Sequence, residues 1–172
     1  DEDRIGIMIA DASGKGMPAA LMIAQIQAII HSEVNNGNRI STMMKNMNQL
    51  VAEATSPEKY VTLFYGELNT KQGEFHYCNA GHNYPILARS NGDMELLTTG
   101  GPIIGALLNM EYTSTSVRLG PEDILFLYTD GLSEAMDNDD NEFGEERVRD
   151  LVCGNRQQEA CDILDNIIKE VR

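Results

Sequence analysis

The sequence predicts an α+β sandwich, in which helices cover β-sheets, and three observations point to it. An apolar strand pattern over residues 4–10 is followed by two helical patterns. From Tyr60 onward, short runs rich in Val, Thr, Tyr, Phe and Leu alternate with turn residues, which is typical of antiparallel strands. Two further helical patterns close the chain. This order differs from the regular alternation of strand and helix in a doubly wound sheet.

The first strand pattern, residues 4–10, is short and rich in Ile, so we expect a strand buried on both faces that delivers Asp11 at its C-terminal end. A helix is predicted to open near Pro18, because proline is favoured in the first helical turn. A polar, Gly-containing stretch at 35–38 ends it. The second helix is expected to start after Ser41 or Thr42 and to form an antiparallel pair with the first.

The middle of the chain predicts a meander of antiparallel strands. Strands are expected at 60–68, 74–79, 85–89 and 94–97, with hairpin turns rich in Gly and Asn at 69–73 and 90–93. A Gly-rich loop at 100–105 precedes strands at 112–119 and 124–128, the second of which leads to Asp130. Helices are predicted at 145–152 and 157–171.

Length and charge limit the possible functions. The 172 residues suit a single domain, and 13 Lys plus Arg against 27 Asp plus Glu give a formal charge of −14. This acidic balance works against a nucleic-acid partner, which is bound chiefly by Lys and Arg. No apolar run approaches the ~20 residues of a membrane span, and no secretory signal is present, so a cytoplasmic protein without a membrane partner is expected.

Two aspartates follow hydrophobic strand patterns and precede small or turn-forming residues: Asp11 and Asp130. Carboxylates in this setting suit Mg²⁺ or Mn²⁺, which prefer oxygen ligands. Each aspartate could instead simply cap a turn or a helix. The sequence around the strand ends therefore indicates a candidate metal site and leaves the capping role open.

The spacing of the residues excludes two known motifs, the phosphate-binding Walker loop and the calcium-binding EF-hand loop. Gly14-Lys15-Gly16 lacks the Ser or Thr after Lys, and the earlier Gly, that a phosphate-binding Walker loop needs. Lys15 near the start of a helix could still attract a phosphoryl group, or the segment could be a plain turn. The acidic run 137–146 places Glu142 where an EF-hand needs Gly and Val148 where it needs Glu, so a solvated loop leading into a helix is expected.

His82 and the three cysteines carry weaker signals. His82 could be a general acid or a ligand, or its ring nitrogens could tie a turn together. Cys78, Cys153 and Cys161 are odd in number and form no Cys-x-x-Cys pair, so we expect buried or partly buried free thiols.

Several segments in one order resemble the SpoIIE-like branch of the metal-dependent PPM serine/threonine phosphatases, which are bacterial regulators of sigma factors. The similarity extends from about residue 5 to the C-terminus. Its segments are Asp-Ala-Ser-Gly-Lys-Gly-Met-Pro-Ala-Ala at 11–20, Val-Thr-Leu-Phe-Tyr-Gly at 61–66, Asn-Ala-Gly-His at 79–82 with Pro85, Gly-Gly-Pro at 100–102 with Gly105, Leu-Tyr-Thr-Asp-Gly-Leu-Ser-Glu-Ala at 127–135, and Phe143-Gly144.

The resemblance implies a fold, a reaction and a ligand set. The fold is a four-layer α-β-β-α sandwich of two antiparallel sheets flanked by helix pairs. The reaction is hydrolysis of phosphoserine or phosphothreonine by a metal-bound water, with no phosphoenzyme, at two Mn²⁺ or Mg²⁺ ions. Asp11, the backbone carbonyl of Ala12, and Asp130 would be metal ligands. The site loop would comprise Ser13, Gly14, Lys15, Gly16 and Gly131.

The resemblance also implies partners, and two family motifs that are missing from this sequence suggest an alternative function. The expected substrate is a phosphorylated anti-sigma-factor antagonist, with a sensor or receiver domain upstream in the parent protein. Family members carry Gly-Gly-Asp-x-x-Asp before the first strand and Asp-Asp-x-Thr at the end, and neither occurs here. We therefore expect residues 1–172 to be one phosphatase domain trimmed at both ends, without some metal ligands and terminal strands. The alternative function is a catalytically incomplete protein-interaction module.

Overall fold

The computed structural model describes residues 3–56 and 58–171, which contain eight strands and five helices in these ranges. The order is β1 (Arg4–Ala12), α1 (Met17–Asn35), α2 (Ile40–Ala54), β2 (Val61–Asn69), β3 (Glu74–Ala80), β4 (Ile86–Ala88), β5 (Met94–Leu96), β6 (Gly100–Gly101), β7 (Thr115–Arg118), β8 (Ile124–Phe126), α3 (Asp130–Ser133), α4 (Glu145–Gly154) and α5 (Ala160–Val171). Two sheets accompanied by helices confirm the predicted α+β class.

The chain forms two compact units. The first contains Asp1–His82 and Thr99–Arg118, and the second contains Asn83–Thr98 and Leu119–Arg172. The sheet of the first unit has the order β1-β2-β3-β6, with β7 also paired to β3, whereas that of the second has the order β5-β4-β8. Each unit thus has its own sheet and helices, and the prediction of one domain over 1–172 stays a prediction.

The core of the first unit lies between one face of its sheet and the helices α1 and α2. Side chains alternate across a strand, so Val61, Leu63 and Tyr65 of β2 share this face. The helices contribute Met22, Ile26, Met43, Met44 and Met47 to the same core. On the other face, the rings of Phe64, Phe75 and Tyr77 stack with centroids 5.5–6.2 Å apart. Strand β2 is therefore buried on both of its faces.

Strand β1 differs from the prediction of a strand buried on both faces. It is an edge strand, since β2 is the only described strand that pairs with it. Ile5 is 51% exposed and Met8 is 38% exposed, although the strand is rich in apolar residues. An apolar run does not reveal whether neighbours cover a strand on one side or on both.

The core of the second unit joins its small sheet to α4 and α5. Ile86 and Ala88 of β4 and Phe126 of β8 meet Val148, Val152, Ile163 and Ile167, which recur at helical spacing on the two helices. The two predicted C-terminal helices are confirmed. The second begins at Ala160 instead of 157, because residues 155–159 form turns in which Gln158 N–H donates to the Asn155 carbonyl at 2.9 Å.

The predicted meander is wrong. β2 and β3 form an antiparallel hairpin, but the chain then enters the second sheet for β4 and β5 and returns as β6. β6 pairs with β3 in parallel, through Asn79 with Gly100 and Ala80 with Gly101. Turn chemistry predicted the hairpins, but it carries no information about which sheet each hairpin joins.

Helix boundaries shift by one to three residues from the predictions. α2 begins at Ile40, because the Arg39 carbonyl already accepts a hydrogen bond from Met43 N–H at 2.9 Å. The polar residues Ser41 and Thr42 therefore lie inside the helix. The predicted antiparallel packing of α1 and α2 stays a prediction. No helix within 3–56 and 58–171 has the length and apolarity needed to cross a membrane.

Candidate functional site

Asp11 lies where the sequence predicted it, at the C-terminal end of the first strand. It is the last but one residue of β1 and pairs with Thr62 of β2. The Asp11 side chain is exposed, and Ala12 is half-buried. The Asp11 carboxylate is thus accessible at the end of the strand, and the roles of Asp11 and Ala12 as metal ligands stay predictions.

The loop from Ser13 to Gly16 turns the chain from β1 into α1. Gly14 has φ 88° and Gly16 has φ 76°, a left-handed backbone conformation that glycine adopts without strain. Gly16 is followed at once by Met17, the first residue of α1. The glycines therefore allow a tight turn directly after the aspartate. Lys15 is exposed between them.

Ser13 fastens this loop to a distant segment of the chain. Its backbone N–H donates to the Tyr60 carbonyl at 2.9 Å, and its hydroxyl donates to the Glu58 carbonyl at 3.2 Å. Tyr60 N–H in turn donates to the Ser13 hydroxyl at 2.9 Å. Three hydrogen bonds thus hold the loop against the residues that precede β2.

The turn at His82 is held by the side chain of Asn79 and the backbone of His82, whereas the His82 ring contacts Thr62 on the neighbouring strand β2. The ring is buried, and Asn79 both donates to the His82 carbonyl at 3.0 Å and accepts from its N–H at 2.8 Å. The ring Nδ1 lies 2.9 Å from the Thr62 hydroxyl, which lies 3.5 Å from the Asp11 carbonyl. Both contacts are satisfied when Nδ1–H donates to the hydroxyl and the hydroxyl donates to the carbonyl.

Thr62 is the residue of this network that the sequence reasoning missed. The only signal for it is indirect: the antiparallel register that places Thr62 opposite Asp11. The network joins the two sequence segments 61–66 and 79–82 to the Asp11 loop within the first unit. This explains physically why these residues accompany the aspartate in one chain.

Asp130 lies in the second unit, in a setting that differs from the prediction. β8 ends at Phe126, and Asp130 is the first residue of the four-residue helix α3, so no strand delivers it directly. A helix of four residues is too short to show a periodic pattern, which is why the sequence did not reveal it. Asp130 and Gly131 are both exposed.

Local hydrogen bonds shape the Asp130 turn. The Asp130 carbonyl accepts from Glu134 N–H at 2.7 Å and from the Ser133 hydroxyl at 3.2 Å. Gly144 N–H donates to the Ser133 carbonyl at 2.8 Å and links the turn to the start of α4. None of these hydrogen bonds involves the carboxylate of Asp130, and the residue is exposed to solvent.

The acidic run at 137–146 behaves as the predicted solvated loop. The Asp137 carboxylate accepts hydrogen bonds from the N–H groups of Asn141 and Asp139, at 2.9 and 2.8 Å. These bonds, with the one from the Asn141 amide, hold the pKa of Asp137 below its ordinary value. The carboxylate is thus engaged within its own loop, and α4 begins at Glu145 as predicted.

The three cysteines are free thiols, as predicted, with one correction. Cys78 is buried and Cys153 is half-buried, but Cys161 is exposed. Burial raises the pKa of Cys78 to about 12, which keeps its thiol protonated at neutral pH. Cys161 lies on the outer side of α5, where the apolar stripe of that helix does not extend.

The donor types around Asp11 and Asp130 suit a hard divalent cation, because carboxylate and carbonyl oxygens are the ligands that Mg²⁺ and Mn²⁺ prefer. The number of donors is small. No group of three or more His, Cys, Asp and Glu side chains that could hold an ion occurs within residues 3–56 and 58–171. The Asp11 loop and the Asp130 turn, each taken by itself, therefore offer only part of a metal-binding set among the described residues.

Known proteins share this fold over nearly the whole chain. The SiaA-PP2C domain of Pseudomonas aeruginosa superposes with a TM-score of 0.84 at 20% identity, covering 99% of this chain and 69% of that one. A structure of RsbX in complex with magnesium superposes with a TM-score of 0.73 at 18% identity, covering 99% of this chain and 75% of that one. At these identities the likeness concerns the fold.

Sequence relatives point the same way. The chain is 29% identical over 176 residues to the phosphoserine phosphatase RsbU of Bacillus subtilis (strain 168). The aligned region covers 98% of this chain. The chain spans 52% of the length of that relative. The family model described as Stage II sporulation protein E (SpoIIE) matches residues 1–172. This chain therefore belongs to the SpoIIE family, which confirms the resemblance drawn from its sequence segments.

Proposed function

We propose that this chain is the phosphatase part of a protein that removes phosphate from phosphoserine or phosphothreonine on a regulatory protein of the anti-sigma-factor antagonist type. Membership of the SpoIIE family and the likeness to a relative named phosphoserine phosphatase support this function. The observation that carries it is the Asp11 loop, in which an exposed carboxylate follows a strand and the surrounding backbone is held by contacts from one distant segment of the sequence, residues 58–62. Regulation by a sensor or receiver domain of the same protein is part of the proposal.

In this proposal Asp11, the Ala12 carbonyl and Asp130 hold Mn²⁺ or Mg²⁺. The structure of RsbX in complex with magnesium shows that a protein of this fold binds such an ion. Mg²⁺ commonly takes only one or two carboxylates and completes its shell with waters and phosphate oxygens. When bound, two such ions supply positive charge that acidifies a water and neutralises phosphoryl oxygens.

The other residues of the loop keep the carboxylate in place. Ser13 holds the turn to Glu58 and Tyr60, so the direction of the chain after Asp11 is set by a segment about fifty residues away. The Thr62 hydroxyl fixes the Asp11 carbonyl from the neighbouring strand. Gly16 carries no side chain and has open space beside it, whereas the space beside Gly14 is occupied by the ammonium of Lys59.

A second candidate function is an interaction module that keeps the fold and does not catalyse. The observation that favours it is the lack of any group of three potential metal-binding side chains within the described parts of the chain. Such a module would bind its protein partner without any dependence on divalent ions.

The test compares Mn²⁺ binding by calorimetry for the chain and for Asp11→Asn, Asp130→Asn and Asp165→Asn. Asp165 is exposed on α5 and is a charge-matched control outside the proposed site. We expect each of the first two variants to weaken Mn²⁺ binding at least about tenfold, since each removes a ligand, and Asp165→Asn to leave it unchanged. Phosphate release from a phosphoserine protein in Mn²⁺ should fall in the same two variants.

Three results would contradict the phosphatase proposal. The first is unchanged Mn²⁺ affinity in Asp11→Asn and Asp130→Asn. The second is equal loss in all three variants, which would indicate a general effect of net charge. The third is a folded chain that binds its partner protein equally well with and without divalent ions and releases no phosphate, which would favour the interaction module.

A further inference from the structure

We infer that Lys59 contacts the phosphoryl group of the substrate and helps to select a phosphate monoester at the Asp11 loop. The inference deepens the proposed phosphatase function and rests on it. Lys59 lies outside the loop in sequence, just before β2, and sequence reasoning assigned it no role.

The ammonium of Lys59 lies against the backbone of the loop that follows Asp11. A Cβ atom built on Gly14 would be 3.2 Å from Lys59 Nζ. The glycine thus leaves room for the ammonium at a point three residues after the proposed metal ligand. Any larger residue at position 14 would push the lysine head away from the loop.

The backbone of Lys59 is held on both sides by the residue that fastens the loop. The Ser13 hydroxyl binds the carbonyl of Glu58, and it accepts from the N–H of Tyr60. Lys59 N–H itself donates to the Ser56 carbonyl at 2.8 Å. The lysine and the loop therefore move together, and the long side chain begins from a defined position.

The Lys59 ammonium has no charged or hydrogen-bonding partner among the residues that the structure describes. Lys45 and Lys71, by contrast, pair with Glu111 and Asp3. In a chain with 27 acidic residues and a net charge of −14, an ammonium beside the candidate site without such a pair is available to a ligand.

A phosphate monoester carries up to two negative charges and several strong acceptor oxygens, and lysine binds phosphate as a compact point charge. An acidic protein repels such a ligand overall, so local cations have to offset the repulsion where it binds. Lys59 from one segment and the exposed Lys15 from another provide two positive charges at the same loop. A methionine at position 59 would keep the apolar stem and remove only the charge.

The first test follows the lysines directly by NMR. The chain has five lysines, which are labelled by reductive ¹³C-methylation and assigned by single substitutions. Inorganic phosphate is then added to the 172-residue chain with diamagnetic Mg²⁺ present, and chloride at the same ionic strength serves as the reference. We expect saturable shifts at Lys59 and no saturable shift at Lys71. Shifts that are equal at all five lysines, or none at Lys59, would overturn the inference.

The second test measures the phosphate affinity of variants from the same titration, read out at Lys15. We expect Lys59→Met to weaken binding at least about tenfold, the loss typical of one contact to a charged group. Lys59→Arg should stay within about twofold, because it restores the charge. Lys71→Met, which removes the same charge elsewhere on the first unit, should change nothing. Equal affinities of Lys59→Met and the unaltered chain would contradict the assignment.

These readouts separate the inference from the proposed function. Phosphate binding requires no turnover, so a chain that binds phosphate through Lys59 but releases none from a phosphoprotein would refute only the phosphatase activity. A chain that hydrolyses a phosphoserine protein with the same KM in Lys59→Met and in the unaltered form would refute only the role of Lys59.

Discussion

The two loops that carry the candidate aspartates are built in opposite ways. The Asp11 loop of the first unit is held by contacts across 45 to 51 residues of sequence, from Glu58, Tyr60 and Thr62. The Asp130 turn of the second unit is held chiefly within itself, by bonds three and four residues apart. The first loop therefore depends on the folding of its whole unit, whereas the second is a local turn.

The cores of the two units also differ, in the types of side chain that fill them. The first unit packs four buried methionines from α1 and α2 against its five-stranded sheet. Methionine is flexible and fills irregular space, so such a core adapts to small changes. The second unit packs β-branched and aromatic side chains from its short strands against α4 and α5. We expect disruption of the first unit to come from its backbone contacts more than from its side chains.

The largest effect is expected at Gly100, where two backbones of the first unit meet. A Cβ on Gly100 would lie 1.6 Å from the carbonyl oxygen of Asn79, so Gly100→Ala must displace β6 from β3. We expect Gly100→Ala to lower the free energy of unfolding by about 3 kcal/mol or more, measured by urea denaturation. Because Asn79 also holds His82, the Asp11 loop should loosen with it.

Gly131 is the matched control in the second unit. A Cβ there would meet only the Thr129 hydroxyl, at 3.6 Å, which is ordinary contact. Gly131→Ala should change stability by less than about 1 kcal/mol, because alanine is the better helix former. If both variants cost the same, the two units would not differ in how tightly their motif glycines are packed.

Much of the fold followed from local patterns in the sequence. The strands around Val61–Asn69 and Glu74–Ala80 and the helix around Met17–Asn35 are apparent from residue type and spacing, and the structure agrees to within one or two residues. Local patterns did not predict which strands belong to the same sheet. The pairing of β6 with β3 is a contact between short segments about twenty residues apart, and no turn motif encodes it.

The candidate site was predicted in part. Asp11 and the loop glycines follow from an apolar strand that ends in small residues. Thr62 and Lys59 were not found, since their relation to the loop arises from strand register and from a side chain crossing between segments. The setting of Asp130 was predicted wrongly, because a four-residue helix has no periodicity to detect.

An intermediate effect on stability is expected from substitution of Asp123, which makes long-range polar contacts in the second unit. Its carboxylate is 6% exposed and binds Arg89 at 2.8 Å and the N–H groups of Gly120 and Ser90. Although burial acts to raise it, these bonds hold the pKa of Asp123 below its ordinary value. At pH 7 we expect Asp123→Asn to cost about 1–3 kcal/mol, since it leaves Arg89 with a weaker acceptor.

The dependence on pH has a definite sign. A carboxyl whose pKa is lower in the folded chain stabilises it above its unfolded pKa of about 3.9, and this contribution is lost as the pH falls through the folded pKa. The difference between Asp123→Asn and the unaltered chain should therefore shrink in urea titrations below about pH 4. Asp165→Asn, on an exposed position of α5, is the control at pH 7, where it should leave the free energy of unfolding unchanged. A difference that persists undiminished at low pH would show that Asp123 acts through packing.

The smallest effect concerns the two serines that hold the aspartate loops. The Ser13 hydroxyl donates to the Glu58 carbonyl and accepts from Tyr60 N–H, so Ser13→Ala should cost about 1–2 kcal/mol. The Ser133 hydroxyl donates only to the Asp130 carbonyl, which Glu134 N–H also satisfies, so Ser133→Ala should cost less than about 1 kcal/mol. Hydrogen exchange gives the sharper measurement: Tyr60 N–H should exchange faster in Ser13→Ala, while Glu134 N–H keeps its protection in Ser133→Ala. Equal loss of protection at both sites would mean that the Asp130 turn depends on its serine as strongly as the Asp11 loop does.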